Sequence, residues 1–586
     1  MSTCDAANVA LRRLRRAATP APIGAGDRHA GRCHYDRGVS DQPPPVEARI
    51  PAPLAATIEQ RLRLAADANV ARRLREGDAS LWGPEGTPEI ADRLGWLTIA
   101  ERMGGELGAL EALVEEVRGE GCRHVVLLGM GGSSLAPEVL RRTFAERPGH
   151  PQLHVLDSTD AARIRSVESA IDPQRTLFIV SSKSGGTIEP LSLFAHFYAL
   201  VGDGARFVAI TDPGSGLARL AEEHGFRATF SGDPDIGGRY SALSAFGIVP
   251  AALIGVDVRR LLGGAAQAWR TPAPENGSTE TLPAGVWLGA ALSAMAGAGR
   301  DKLTFLISQS LPGLGLWLEQ LVAESTGKHG RGILPVADEP VGEPASYGDD
   351  RVFAYLSDLT AADPALDARA RALAEAGQPL ITIATGGPGD LGRVFMLAEL
   401  AVAVAGWGLE INPFDQPNVQ QAKDATKHVL GDYEARHTLP DAPSAGAAAL
   451  RSLLLDGSPP EYLAIMAYLE PSPAFDRAAG ELREAVRART KLTTTFGYGP
   501  RFLHSTGQFH KGGPPTGRFL QLLHDGPEDV AIPGAEYTFT TLKNAQAIGD
   551  LNTLRELGRP AERLRLEGTD PVSALRALTA MIKEPT

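Results

Sequence analysis

A chain of 586 residues with 58 Lys and Arg against 70 Asp and Glu carries a formal charge of −12. At about 100–200 residues per domain it is long enough for three or four domains. Its 43% hydrophobic and 22% charged residues are ordinary for a globular protein with sizeable cores, and the acidic balance excludes a protein that coats nucleic acid through clustered cations. Cys4, Cys33 and Cys122 are odd in number and far apart, so they offer neither a disulfide framework nor a metal-ligand spacing. They point to a reducing, cytoplasmic compartment.

Residues 1–55 begin with Arg12, Arg13, Arg15 and Arg16 followed by Pro, Gly and scattered charges, without the apolar stretch of a secretion signal. They are expected to be a tail outside the fold. The chain from about residue 90 alternates short apolar runs with helical segments. Runs at 124–130, 153–157, 176–181 and 207–211 read as buried parallel strands covered on both faces. A Pro-, Glu- and Ser-rich interval, 271–281, reads as part of a connection. A second cycle follows at 301–308, 352–356 and 379–384, and a third at 462–467 and 493–496 around a charged helix ending near Arg489. The long greasy run at 394–411 is interrupted by Glu399 and Glu410 and reads as a buried helix, not a membrane span. The fold class is therefore α/β: two doubly wound parallel-sheet domains, 56–280 (with an N-terminal helical segment) and 281–435, plus a C-terminal α/β lobe, 436–586.

Ligands of open parallel sheets bind beyond the carboxyl ends of strands. Two such ends are unusual: Gly129-Met-Gly-Gly-Ser-Ser134, and Ser181-Ser-Lys-Ser-Gly-Gly-Thr-Ile-Glu-Pro190. The second joins hydroxyls, Lys183 and two glycines to the start of a helix, where free N–H groups and the positive helix end suit a phosphate. Neither has P-loop spacing. An anionic metabolite needs local cations despite the overall acidity, and Lys183, Arg239 and Lys423 are the candidates. The segment 314–327 reads as a largely buried helix closed by Gly327, with Gln320 and Glu324 on one face; a carboxylate at the end of so apolar a helix suits a general base. A further helix is expected to start at Pro417 and end before Gly431, with Gln420, Lys423 and Lys427 along one face.

Together, Gly129-Met-Gly-Gly-Ser-Ser-Leu135, Ser182-Lys-Ser-Gly-Gly-Thr187, Gly237-Gly-Arg-Tyr-Ser241, Glu324-Ser-Thr-Gly-Lys328 and Asn412-Pro-Phe-Asp-Gln-Pro417 resemble the phosphoglucose isomerase family, in order, over roughly residues 90–430. The resemblance implies two sugar-isomerase (SIS) domains with flavodoxin-like sheets, and interconversion of glucose 6-phosphate and fructose 6-phosphate through a cis-enediol, with no metal and no redox cofactor. It implies a phosphate loop of Ser182, Lys183, Ser184 and Thr187, with Ser133 a neighbouring substrate contact. It makes Glu324 the base between C1 and C2, Arg239 the cation beside the enediolate, Gln320 a substrate contact and Lys423, seven residues after Gln416, the lysine that assists ring opening. Gln416 is counted with the substrate contacts.

The sequence departs from the family in one place. The ring-opening His expected between the Glu324 and Lys423 motifs is missing, since 330–412 contains no His. Instead Gly499-Pro-Arg-Phe-Leu-His504-Ser-Thr-Gly-Gln-Phe-His510-Lys-Gly-Gly513 follows Lys423, a tail similar to the isomerase half of bacterial transaldolase–isomerase fusions. The C-terminal lobe, in this chain or a neighbouring subunit, is expected to present His510, with His504 as the second choice. The only partner expected is the phosphorylated hexose, without nucleic acid or membrane; the resemblance also implies a homodimer. The competing readings are a non-catalytic SIS-type sugar-phosphate sensor and an isomerase of another phosphosugar.

Overall fold

The computed structural model describes residues 43–274, 282–568 and 570–583, apart from the side chains of 419, 420 and 422. Most of the expected N-terminal tail, part of the expected 271–281 connection, Cys4, Cys33 and the Gln420 side chain lie outside the described residues. The strands in chain order are β1 (Val46–Arg49), β2 (His124–Gly129), β3 (Gln152–Leu156), β4 (Thr176–Ser181), β5 (Phe207–Thr211), β6 (Ala228–Ser231), β7 (Lys302–Ile307), β8 (Leu334–Val336), β9 (Arg351–Asp358), β10 (Leu380–Thr385), β11 (Tyr462–Tyr468), β12 (Thr493–Tyr498), β13 (Gly517–Leu523) and β14 (Ala561–Arg565).

They form three sheets. The first, β3-β2-β4-β5-β6, is wholly parallel, and its central strands are apolar because both faces are covered: Val125 to Leu128 and Leu177 to Val180 are all buried. The second has the order β1-β10-β9-β7-β8. Four of its strands are parallel, and β1 closes the edge antiparallel to β10. Residues 46–49, expected in the tail, thus belong to the second sheet. The third, β12-β11-β13-β14, is again parallel. Counting parallel strands only, all three sheets run second-first-third, so each has its topological switch point beside its first parallel strand.

The sequence pattern also missed β13, which is seven residues long and largely buried, and three strands that are short or polar. β8 has three residues, β6 is a half-buried edge and β14 carries Glu562, Arg563 and Arg565. Among the described residues one helix, Pro388–Leu409, is long and apolar enough to cross a membrane, but 89% of its apolar window is buried within the protein, packed against helix Ala284–Gly297. Helix Pro417–Arg436 continues through Gly431 instead of stopping there, and ends where His437 takes a left-handed φ of 52°.

The third lobe is fixed to the second by a buried charge cluster. Glu339 accepts two hydrogen bonds from Arg351, at 2.9 and 3.1 Å, lies 3.3 Å from Arg487 and accepts from the Thr494 N–H and hydroxyl of edge strand β12. Both guanidinium groups lie over the Tyr347 ring. Burial alone would raise the Glu339 pKa, but Arg351, Arg487 and Arg483 outweigh it and hold the carboxyl at about 2. A depressed carboxylate stabilises the fold above its unfolded value near 4.5 and loses that contribution as pH falls toward 2. Glu339→Ala strands two buried cations and is expected to cost about 3–5 kcal/mol, read as a lower urea midpoint at pH 7. The difference from the parent should shrink between pH 4.5 and 2; a constant difference would refute the ionic account.

Candidate active site

The register Gly129↔Ser181 aligns β2 with β4 and sets the two unusual loops side by side at the carboxyl edge of the first sheet. After β4, Ser182 Oγ donates to Thr187 Oγ1 at 3.1 Å, and Thr187 stands at the head of helix Ile188–Val201 without a side-chain bond to it. The first-turn N–H groups are thereby left for an anion. Ser184 is exposed and accepts from Gly186 N–H at 3.4 Å. Lys183 does not join this group: its ammonium bonds Asp212 at 2.6 Å and the Asp233 carbonyl at 2.8 Å, tying the β4 loop to the loops after β5 and β6. Its place in the phosphate loop is structural, because those acceptors hold the ammonium away from the helix end.

Helix Leu314–Thr326 carries Gln320 and Glu324 one turn apart, as the spacing requires. Gln320 Nε2 donates to Glu324 Oε2 at 3.1 Å, and Arg239 Nη1 lies 3.5 Å from the same oxygen. Arg239 is itself buried and fixed from four sides. It donates to Ser325 Oγ at 2.9 Å, to the Pro413 and Asp415 carbonyls at 3.0 and 2.7 Å, and to Gln416 Oε1 at 2.7 Å. Gln416 is thus a support for the arginine. Lys328, at the end of the same segment, pairs with Asp415 at 2.6 Å and donates to the Asn412 carbonyl. Burial and nearby Arg239 push its pKa down to about 7 against the pull of Asp415. Ser133 is buried in the 3-10 turn Gly131–Ser133, which packs against the turn Gly238–Tyr240 bearing Arg239.

The third lobe enters here through residues 501–512. Gln320 Nε2 also donates to the His504 carbonyl at 2.9 Å. The His504 ring reaches Glu189 at 2.8 Å and lines a cleft of about 660 Å³ together with Gly186, Thr187, Lys423 and Lys427. Burial would raise the Glu189 pKa, but His504, the helix start and Lys423 reverse this and keep the carboxyl ionised. An ionised carboxylate only accepts, so His504 Nε2 carries hydrogen.

His510 is elsewhere. It is buried in the third lobe, its Nδ1 3.0 Å from the Tyr462 hydroxyl and its ring edge-on to Phe519. Burial and Lys511 lower its pKa to about 3, which leaves it a poor proton carrier near neutrality. The structure thus sets His504, and not the expected His510, at this cleft, in the same chain as the loops that line it. The Gly-Gln fragment before His510 has another use: Gln508 bonds the Gly327 carbonyl at 2.9 Å and exchanges two bonds with Asn418 at 2.8 and 2.9 Å. Gly327 itself has φ −76°, so its value is not a left-handed cap; a Cβ there would lie 2.4 Å from Phe509 Cα.

Two contributors escaped the sequence reading. Glu189 stood within the phosphate motif, and its place in the first helical turn was the available signal. Gln546 donates to Glu189 at 2.7 Å from helix Phe539–Glu556, where Lys543, Asn544, Gln546 and Asp550 are all buried. A helix polar on several faces bridges other elements.

Two flavodoxin-like lobes that set a buried Glu–Arg pair beside a hydroxyl-rich helix start define an isomerase of phosphorylated sugars. Residues 114–334 match the family model described as phosphoglucose isomerase. The chain is 32% identical to glucose-6-phosphate isomerase of Rubrobacter xylanophilus over 372 residues, 54% of this chain and 85% of that protein. It is 30% identical to that of Carboxydothermus hydrogenoformans over 390 residues, 56% and 82% of the two chains. Among solved structures, a hypothetical protein from Thermus thermophilus superposes with a TM-score of 0.53 at 26% identity, covering 65% of this chain and 99% of that one. The chain belongs to the phosphoglucose isomerase family, and its activity is the interconversion of glucose 6-phosphate and fructose 6-phosphate.

Gly131 links the lobes: its φ is +54°, and a Cβ would lie 2.7 Å from the His504 carbonyl and 2.9 Å from Gln320 Nε2. Gly131→Ala is expected to cost about 1–2 kcal/mol through φ alone and to lower turnover by displacing His504. A thermal shift with wild-type kcat would show that this contact does not hold the histidine.

Proposed function

We propose that the hexose phosphate binds with its phosphate at Ser182, Ser184, Thr187 and the helix start, and its C1–C2 end toward Glu324. The juxtaposition of Glu324 with Arg239 at 3.5 Å carries this reading. Ring opening comes first. The C1–O5 bond breaks as O5 gains a proton and the C1 hydroxyl loses one, and His504 and Lys423, which share the cleft, make the two transfers. Glu324 then takes the proton from C2 of the open aldose, electrons move into the C1–C2 bond, and O1 gains negative charge that Arg239 stabilises. Transfer of the O2 proton to O1 and return of the proton from Glu324 to C1 then give the ketose. Ser133 and Gln320 border the reacting end, and Gln416 holds Arg239.

A sensor has no need of the carboxylate, which disfavours that alternative. The sugar phosphate is the only partner the reading requires, with neither nucleic acid nor membrane; the homodimer and the cytoplasmic location come from the resemblance and from the cysteine usage.

Glu324→Gln is expected to lower kcat by about 10²–10⁴-fold, the usual worth of a positioned base, and to abolish solvent deuterium exchange at C1 and C2, followed by NMR. Persistence of exchange at the parent rate would remove Glu324 from this role. His504→Ala should slow turnover of cyclic substrate, whereas His510→Ala should alter thermal stability more than kcat; the opposite ranking would restore His510.

A further inference from the structure

We propose that Gln546, on helix Phe539–Glu556 of the third lobe, is a positioning residue for ring opening: it holds Glu189, and through Glu189 sets the orientation and tautomer of His504. The proposal rests on the reading of His504 given above. Three short bonds make the chain of contacts. Thr159 Oγ1 donates to Gln546 Oε1 at 2.8 Å, Gln546 Nε2 donates to Glu189 Oε1 at 2.7 Å, and His504 Nε2 meets the same oxygen at 2.8 Å. Thr159, Glu189 and Gln546 are all buried.

Chemistry fixes the orientation of the amide. A carboxylate presents no donor, so the NH2 end must face Glu189 and the carbonyl end must face Thr159, whose hydroxyl is able to donate. A neutral donor is also the right kind of group here. A Lys or Arg at 546 would compete with His504 for the negative charge, whereas an amide satisfies a carboxylate lone pair and leaves that charge to the imidazole. Without the amide, Oε1 would keep only the His504 bond, one of its buried lone pairs would be bare, and Glu189 would be freer to rotate with His504 attached.

The helix bearing Gln546 is itself fixed at both ends of this stretch. Lys543, one turn earlier, pairs with Asp160 of the first lobe at 2.7 Å and with Asp525 at 3.0 Å. Asp550, one turn later, pairs with Lys511 at 2.6 Å, which lies in the short helix Gly507–Gly512 that follows His504. Residues 543, 546 and 550 share a face, so a single helix face reaches the first lobe, the Glu189–His504 pair and the segment that carries the histidine. The lobe therefore contributes a histidine and also the frame that aims it.

Three variants test this: Gln546→Met, which keeps the volume and removes both bonds; Gln546→Glu, which keeps the acceptor for Thr159 but sets a second carboxylate against Glu189; and Thr159→Val, a milder release of the amide. Each is assayed on glucose 6-phosphate and on a four-carbon aldose phosphate that cannot close a ring, with His504→Ala in parallel. The expected result is a kcat loss of roughly 10–100-fold on the cyclic substrate for Gln546→Met, the scale of a misplaced reacting group, with KM and the rate on the acyclic substrate nearly unchanged. Gln546→Glu should lose at least as much, and Thr159→Val less in the same pattern. Equal losses on both substrates would mean a merely structural role and overturn the proposal. A loss with His504→Ala but none with Gln546→Met or Thr159→Val would overturn it and spare the ring-opening reading. No loss with His504→Ala would overturn both. If Gln546→Met does not fold, Thr159→Val decides by the same comparison.

Discussion

Three carboxylates of the first lobe, Asp157, Asp160 and Glu189, are buried against partners from the third. Asp157 receives both arms of Arg501 at 2.7 and 2.9 Å, Asp160 receives Lys543, and Glu189 receives His504 and Gln546. Buried carboxylates are costly unless paired and hydrogen-bonded, so the first lobe's carboxyl edge is complete only when the third lobe sits on it. The pairing that stabilises this seam is the same pairing that brings an imidazole to the cleft lined by Thr187 and Lys423. Stability of the seam and assembly of the site are one constraint.

The constraint also explains what became of the third lobe's own crevice. An open parallel sheet offers a ligand site outside the carboxyl ends of its strands, and here the loops after β12 and β13, with Arg501 and Asp525, are engaged with residues of the first lobe or with Lys543, which reaches it. The lobe has the architecture of a ligand-binding unit but spends that edge on its neighbour. Its opposite attachment, Glu339 with Arg351, Arg487 and Thr494, occupies backbone donor capacity of edge strand β12, which also limits pairing with other chains.

Division of labour within the site follows charge. Arg239 is held by two carbonyls, a hydroxyl and an amide and so keeps its positive charge largely uncompensated apart from Glu324. Such a fixed cation costs no reorganisation when charge develops on the substrate. The proposed proton transfers of ring opening fall to His504 and Lys423, side chains that line the cleft beside Thr187.

Local pattern determined much of this. The apolar runs of β2, β4, β5, β7 and β11, the Gln320–Glu324 spacing and the hydroxyl-rich turn before Ile188 depend on neighbours in the chain, and the structure has them where the sequence puts them. What the sequence could not decide was which histidine faces the cleft, because His504 and His510 lie six residues apart in one Gly-rich segment. Only packing separates them: the Tyr462 and Phe519 rings enclose one, while Glu189, 315 residues earlier in the chain, draws the other to the cleft. The direction of Lys183 was hidden for the same reason, being set by Asp212 and by two carbonyls about 50 residues on. Gln546 was invisible because an amide on a helix reveals its role only through the buried carboxylate opposite. Backbone periodicity is a local property and is written in the order of residues; the aim of a polar side chain depends on which distant charge it must neutralise, and that is settled when the lobes close on one another.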